Sequence, residues 1–348
     1  MPLPDWKKVL VVDLGFLGDT VHSIPALRAL ASTGPEVDVM TTAVGAEVLA
    51  MVPEVKHVWE IPLGKPSPAP WRSLPTLLKI RRQNYDLALS FSGADRNLFC
   101  VAASGAKERI ASAARYRWWL PGLCLTRSFS RPHQQQPLFQ QRLEVVRALG
   151  WQDENPGWAW KSGVLAKSKA TQTLPHPFVY LSVSAFGSAH KEWPLDFWAQ
   201  AAQHAWKIRP ELNFVVGCAP AAREQERARQ LTQMAGKPDQ LVFLNTSRSL
   251  ADLAAALGQA DVFAGLDSGV LHLAMAMGKP TVSVFRDYAG KIEWAPLGQN
   301  HRVLSRPCFC HKNQKDSCGE EPKCLAEISP QDVGEAILQL LSAETRKQ

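Results

Sequence analysis

The sequence predicts an α/β chain with two doubly wound parallel sheets in series, and three observations carry that prediction. Short continuous apolar runs, such as Lys8–Asp13 and Phe178–Val183, have the length of strands buried on both faces. They alternate with stretches whose apolar residues recur at helical spacing, as expected of parallel sheets with right-handed crossovers. The alternation breaks once, between Trp151 and Pro177, and then restarts. Ligands of such sheets bind beyond the carboxyl ends of the strands, so a cleft between two such domains is the expected site.

In the first half, strand Lys8–Asp13 is followed by Gly15 and Gly18 and then by a helical pattern through Val21, Ile24, Ala26, Leu27 and Leu30. Val37–Met40 and Val55–Ile61 read as strands, Ser73–Arg82 as a helix and Leu87–Phe91 as a strand. Leu138–Leu149 reads as a helix that stops at Gly150, a suitable C-terminal cap. The stretch after Trp151 is rich in Trp, Lys, Ser, Thr and Pro and reads as the connection. Boundaries follow at 1–160, 161–176 for the linker and 177–328, with a cysteine-rich segment at 306–325.

The second half reads as strands Phe178–Val183, Asn213–Val216, Leu241–Leu244, Val262–Gly265 and Thr281–Phe285. Between and beside them stand helices Pro194–Trp206, Ala221–Met234, Leu250–Leu257 and Gly269–Met277. Arg286–Ile328 has little periodicity. A last helix occupies 329–348, with Ser329 as N-cap, Pro330 at the first helical position and an apolar stripe of Val333, Ile337, Leu340 and Leu341.

With 46% hydrophobic and 20% charged residues the chain is globular rather than disordered. No stretch approaches the roughly 20 apolar residues of a membrane span. The N-terminal apolar run is short and ends at Asp13, which fits a buried strand and not a signal peptide. A net charge of +7 without a Lys/Arg tract gives no support to nucleic-acid binding. Basic residues gather at Lys107, Arg109, Arg115 and Arg117 beside Trp118 and Trp119, as a solvated face or as a patch for an anionic substrate or lipid surface. Seven cysteines, four of them between Cys308 and Cys324, do not make a secreted disulfide scaffold. A reducing, cytoplasmic setting is expected.

Three motifs can carry chemistry. The loop Asp13–Thr20 lacks both the dinucleotide pattern G-x-G-x-x-G and the phosphate-loop Gly-Lys-Ser/Thr, so a dehydrogenase and an ATPase lose support. Asp19 is either the N-cap of a helix beginning at Thr20 or a general base for an acceptor hydroxyl. His22 reads as structural. In Ser188–Pro194, Lys191 precedes a helix N-terminus, where cation and dipole both favour a phosphate; a solvated loop lysine is the plain alternative. In Gly265–Ala274, Asp267 and Ser268 can cap the next helix, and its first amides can cradle phosphate oxygens as charge builds on a diphosphate.

Together GDTVHSIPALRAL, KEWP and GLDSGVLHLAMAMGKPTVSVF resemble glycosyltransferase family 9, the heptosyltransferases of lipopolysaccharide inner-core assembly. The resemblance implies a GT-B fold of two Rossmann-like domains, acceptor on the first and nucleotide sugar on the second. It implies inverting, metal-independent transfer of heptose from ADP-L-glycero-β-D-manno-heptose to a lipid-A/Kdo-type core acceptor, with peripheral contact at the inner face of the inner membrane. Asp19 matches the family's base, flanked by Gly18 and Thr20 on the acceptor side. Lys191 matches the lysine on the donor phosphates, and Asp267, Ser268, Gly269 and His272 match the donor loop. Glu224 or Glu226 matches a ribose-binding acid, and Arg96 falls on the acceptor side. Closing the cleft would bring Asp19 and Lys191 together and exclude water. No Asp-x-Asp stands at a strand end, so the sequence requires no catalytic metal.

Cys308, Cys310, Cys318 and Cys324 form a C-x-C-x₇-C-x₅-C pattern suited to tetrahedral zinc or iron, with His311 as an alternative ligand and four reduced thiols as the plain reading. The resemblance extends to protein-directed (autotransporter) heptosyltransferases, which bear an iron-bound finger there. A protein acceptor is therefore the second reading. An epimerase on the same architecture and a non-catalytic binding or assembly subunit are the others.

Overall fold

A computed structural model of the chain describes residues 5–63, 69–112, 119–129, 135–164, 174–185, 189–218, 222–245, 249–308 and 323–345. The chain divides into two compact units, Met1–Lys161 and Ser162–Gln348.

The first unit contains β1 (Lys8–Asp13), α1 (Leu17–Ala31), β2 (Glu36–Thr41), α2 (Ala43–Ala50), β3 (Val55–Glu60) and α3 (Leu74–Arg81), the last entered through a 3₁₀ turn at Pro70–Ser73. It continues with β4 (Leu87–Ser90), α4 (Asp95–Ala103), β5 (Glu108–Ser112), α5 (Leu120–Cys124), β6 (Arg127–Phe129) and α6 (Leu138–Ala148). All six strands are parallel, in the order β3-β2-β1-β4-β5-β6. β1 is central and buried nearly throughout, which is why it reads as an unbroken apolar run. On one face Ile80 of α3, Leu98 and Val101 of α4, and Leu120 and Cys124 of α5 share a core with Leu10, Val12 and Ala88 of the sheet. α1 packs with α2 and α6.

The second unit contains β7 (Phe178–Ser182), α7 (Leu195–Ile208), β8 (Asn213–Cys218), α8 (Ala222–Ala235), β9 (Leu241–Asn245), α9 (Leu250–Gln259), β10 (Val262–Leu266) and α10 (Gly269–Ala276). β11 (Thr281–Val284), α11 (Lys291–Trp294), β12 (His301–Leu304), α12 (Lys323–Ala326) and α13 (Pro330–Thr345) complete it. Its strands are again all parallel, in the order β12-β11-β10-β7-β8-β9. α13 packs on α7, and Trp193, Trp198 and Trp206 fill the core between them and the sheet. Ser329 Oγ accepts the amide of Asp332 at 3.1 Å, so α13 has its expected cap.

Several elements differ from the sequence reading. α1 begins at Leu17, so Asp19 is the third helical residue and not its N-cap. Pro194 stands at the N-cap of α7, one residue ahead of the helix. α2, α4, β5, α5, β6 and β12 were not legible. β5, β6 and β12 are lateral strands, partly exposed, and their polar residues break the apolar run that identifies a central strand. The described start of the connection folds onto the first unit: Trp151 is buried, and the Lys161 amide donates to the Met51 carbonyl.

Candidate functional site

Within the first unit the strand order reverses between β1 and β4, and the loops leaving both strands carry the candidate residues. Gly15 lets the chain turn back on itself: a Cβ there would lie 2.3 Å from Asp19 Cβ. Asp19 Oδ2 accepts the Phe16 amide at 3.0 Å, satisfying one of the amides at the start of α1. Its Oδ1 lies 3.6 Å from Arg142 Nη2, and its backbone carbonyl accepts from Arg142 Nη1. Arg142, on α6, is buried. It also reaches Asp13 at 3.4 Å and the Ser23 hydroxyl, stands over the Phe91 ring at 5.7 Å, and Ser23 in turn donates to Asp13 at 2.5 Å.

The Asp19 side chain keeps 28% of its surface exposed, against 7% for Asp13, so of the two carboxylates Asp19 is the one a substrate can reach. Gly18 and Thr20 are buried in the same turn, and His22 stacks on Phe139. Arg96 is exposed in the first turn of α4, beyond the carboxyl end of β4. The neighbouring Asn97 ties that turn to the sheet through the Ser90 hydroxyl at 3.1 Å.

Within the second unit the reversal falls between β7 and β10. Lys191, in a 3₁₀ turn after β7, donates to Asp267 Oδ2 at 2.6 Å, and Tyr288 donates to the same oxygen at 3.2 Å. Asp267 stands one residue before the N-cap of α10, and its carboxylate holds the Lys191 ammonium. Ser268 is the N-cap of α10 by backbone but makes no capping hydrogen bond, and its buried hydroxyl lacks a partner. The first amides of α10 have no intrahelical acceptor, so hydroxyl and amides together are donors for ligand oxygens. β10 lies close to β7 at Gly265, where a Cβ would meet the Ser182 carbonyl at 2.9 Å.

His272, one turn into α10, is buried 3.9 Å from Asp267, and burial lowers its pKa to about 4. It is neutral at neutral pH. Burial and the Asp267 carboxylate push the Tyr288 hydroxyl upward, so it remains a donor. His190, Lys191, Arg286 and Tyr288 line a small recess partly open to solvent. Arg286 is only 3% exposed, and its guanidinium lines the recess beside the Lys191–Asp267 ion pair, which leaves the place with an excess of positive charge. Glu224 lies in the first turn of α8, beyond β8, and Glu226 is exposed and paired with Arg229. Glu192, next to Lys191, is buried and paired with Arg223 and Arg227, which fixes the Lys191 turn to α8.

Arg142, Arg286 and Tyr288 were not identified from sequence. The signal available was weak: a lone arginine in an apolar helical stripe, and an Arg-Asp-Tyr following a strand end. Of the cysteine cluster, the thiols of Cys308 and Cys324 meet in a hydrogen bond, and burial raises Cys324. Cys310, Cys318 and His311 lie outside the described residues. Among the described residues no group of three metal-ligating side chains is present.

Known proteins share the sequence family and the fold. The chain is 25% identical over 378 residues, covering 97% of it, to lipopolysaccharide heptosyltransferase 1 of Pseudomonas aeruginosa, 99% of which is covered. Its fold matches ADP-heptose lipopolysaccharide heptosyltransferase II of Escherichia coli with a TM-score of 0.77 and 20% identity, over 97% of this chain and 99% of that one. It also matches the dodecameric iron-containing heptosyltransferase TibC, solved with ADP-D-β-D-heptose, with a TM-score of 0.60 and 12% identity over 99% of this chain and 78% of that one. The profile of glycosyltransferase family 9 (heptosyltransferase) covers residues 76–324, well over half of the sequence, and the chain belongs to that family.

Proposed function

We propose that this glycosyltransferase transfers heptose from ADP-L-glycero-β-D-manno-heptose, with inversion, to an anionic lipopolysaccharide inner-core acceptor. The observation that carries the reading is the partly exposed Asp19 carboxylate, held at two points beyond the β1/β4 reversal. Asp19 takes the proton from the acceptor hydroxyl as that oxygen attacks the anomeric carbon. Lys191, Arg286 and the first turn of α10, with Ser268 and Gly269, stabilise the departing diphosphate. Asp267 and Tyr288 keep the Lys191 ammonium in place, Glu224 contacts the ribose, and neutral His272 supports the loop from beneath. Arg96 meets acidic groups of the acceptor. Neither step uses a metal.

Calorimetric titration with ADP, UDP, GDP and CMP tests the donor. ADP binding at least about tenfold tighter than the others is the expected result. A preference for UDP or GDP would keep the transferase and remove heptose from the reading.

A protein acceptor is the second reading, favoured by one observation, the meeting of Cys308 and Cys324. Paired thiols suit a soft metal, and Cys310 and Cys318 would complete a structural zinc or iron site with four thiolates. Elemental analysis of the purified protein is expected to find close to one equivalent of zinc or iron. Less than about a tenth of an equivalent removes the site.

A further inference from the structure

The outer surface of the α3–α4–α5 layer exposes large apolar side chains where a solvated helix layer is ordinarily polar. α3 and the turn that leads into it turn Leu77 and Ile80 toward the core. On the opposite side Trp71, Leu74 and Leu78 follow one another at helical spacing, all exposed, Trp71 at 73%. Phe99 continues the exposed surface on α4, and Leu123, 73% exposed, continues it on α5. These helices share one core beneath and pack side by side, so the five side chains belong to one face.

The charge around the stripe has one sign. The segment Pro70–Arg82 carries Arg72, Lys79, Arg81 and Arg82, all exposed, and no carboxylate. Arg81 and Arg82 fall three and four residues after Leu78, at the end of the stripe. Among the described residues none of the four makes an ion pair. A protein interface is depleted of charge at its centre and matches cations to individual carboxylates. Cations around Trp and Leu, without counter-charges, match a surface of many anionic groups above an apolar layer.

We propose that this face docks on an anionic phospholipid bilayer, with Trp71, Leu74, Leu78, Phe99 and Leu123 entering the headgroup boundary and the α3 cations meeting lipid phosphates. The layer adjoins the acceptor side. The first turn of α4 is anchored at the end of β4 by Asn97, and Phe91, in the loop between them, carries the Arg142 guanidinium that holds Asp19. Docking therefore sets this edge beside the headgroups, where a lipid-borne acceptor presents its sugars; that use rests on the acceptor reading above, whereas the docking itself does not.

Flotation of the full chain with vesicles of phosphatidylethanolamine and phosphatidylglycerol, against vesicles of phosphatidylcholine, tests the proposal. The wild type is expected to float with the anionic vesicles only, less so as salt rises. The triple variant Trp71→Ser, Leu74→Ser, Leu78→Ser is expected to bind about tenfold more weakly or worse, with ADP binding and circular dichroism unchanged. Equal binding to both vesicle types, no binding by the wild type, or wild-type binding by the triple variant would overturn it. So would a wild-type dimer that the triple variant converts to monomer without vesicle binding, because a second copy would then be the occupant. Transfer to a delipidated, water-soluble acceptor is assayed in parallel. Its absence in the wild type sinks the acceptor reading and leaves the vesicle result standing.

Discussion

Asp19 and Asp13 are six residues apart in sequence and contact the same arginine, yet their environments differ. Asp13 accepts from Ser23, faces Arg142 and is nearly closed to solvent, which makes it a support. Asp19 accepts one amide and keeps part of its surface open, which suits a base. His272 is the opposite case, a polar ring sealed into a core. The unfolded chain protonates His272 as pH falls through about 6.5, whereas the folded chain resists until about 4. In that window the unfolded state binds more protons, so stability falls with pH, by up to about 1.4 kcal/mol per unit. Denaturant titrations of wild type and His272→Gln are expected to show a stability difference that shrinks from pH 7 to pH 4. A difference independent of pH would contradict the neutral, buried assignment. Asp19, Lys191 and the Asp267–His272 string were legible in the sequence because their motifs follow β1, β7 and β10 and resemble those of glycosyltransferase family 9. Arg142 was not, because what makes it special is Ser23 and Asp13, more than a hundred residues away.

At the scale of elements, α1 shows how the chain pays for a local irregularity with a distant side chain. Pro25 stands inside the helix and has no amide to offer the Val21 carbonyl one turn back. The indole of Trp158 fills the gap, donating to that carbonyl at 3.0 Å. Trp158 also packs edge-on against Phe139 of α6, with ring centroids 5.0 Å apart, so the segment Trp151–Lys161 joins two helices of the unit. Trp158→Phe keeps an aromatic ring, though a smaller one, and removes the donor. It is expected to lower unfolding free energy by about 1–3 kcal/mol, the range for a buried group left without its partner. A shift in urea midpoint too small to resolve would show that the carbonyl finds water instead. This segment has no periodicity, so its composition suggested only a connection, although its indole completes a helix. The central strands were legible from apolar continuity. Strands β5, β6 and β12 were not, because each is short, partly exposed and mixed in sequence.

At the scale of the molecule, the two units repeat one plan. Each is a six-stranded parallel sheet, and in each two of the candidate loops leave the strands where the order reverses, joined in the second unit by Arg286 and Tyr288 after β11 and Glu224 after β8. The first unit carries a carboxylate held by donors, and the second carries Lys191 and Arg286 in one recess and, at the start of α10, amides without an intrahelical acceptor. The base and the anion site proposed above lie on separate units and can be removed separately. Arg142 is a poor place to begin, since stripping the partner from buried charges costs about 3–5 kcal/mol and would mix folding with catalysis. Asp19 is partly exposed, and Asn keeps its shape. The measurement that tests the account most directly is therefore heptosyl transfer by Asp19→Asn, with ADP binding measured on the same preparation. The account predicts a loss of about 10²–10⁴-fold in kcat with the ADP affinity unchanged. Transfer at the wild-type rate by a variant that binds ADP normally would contradict it.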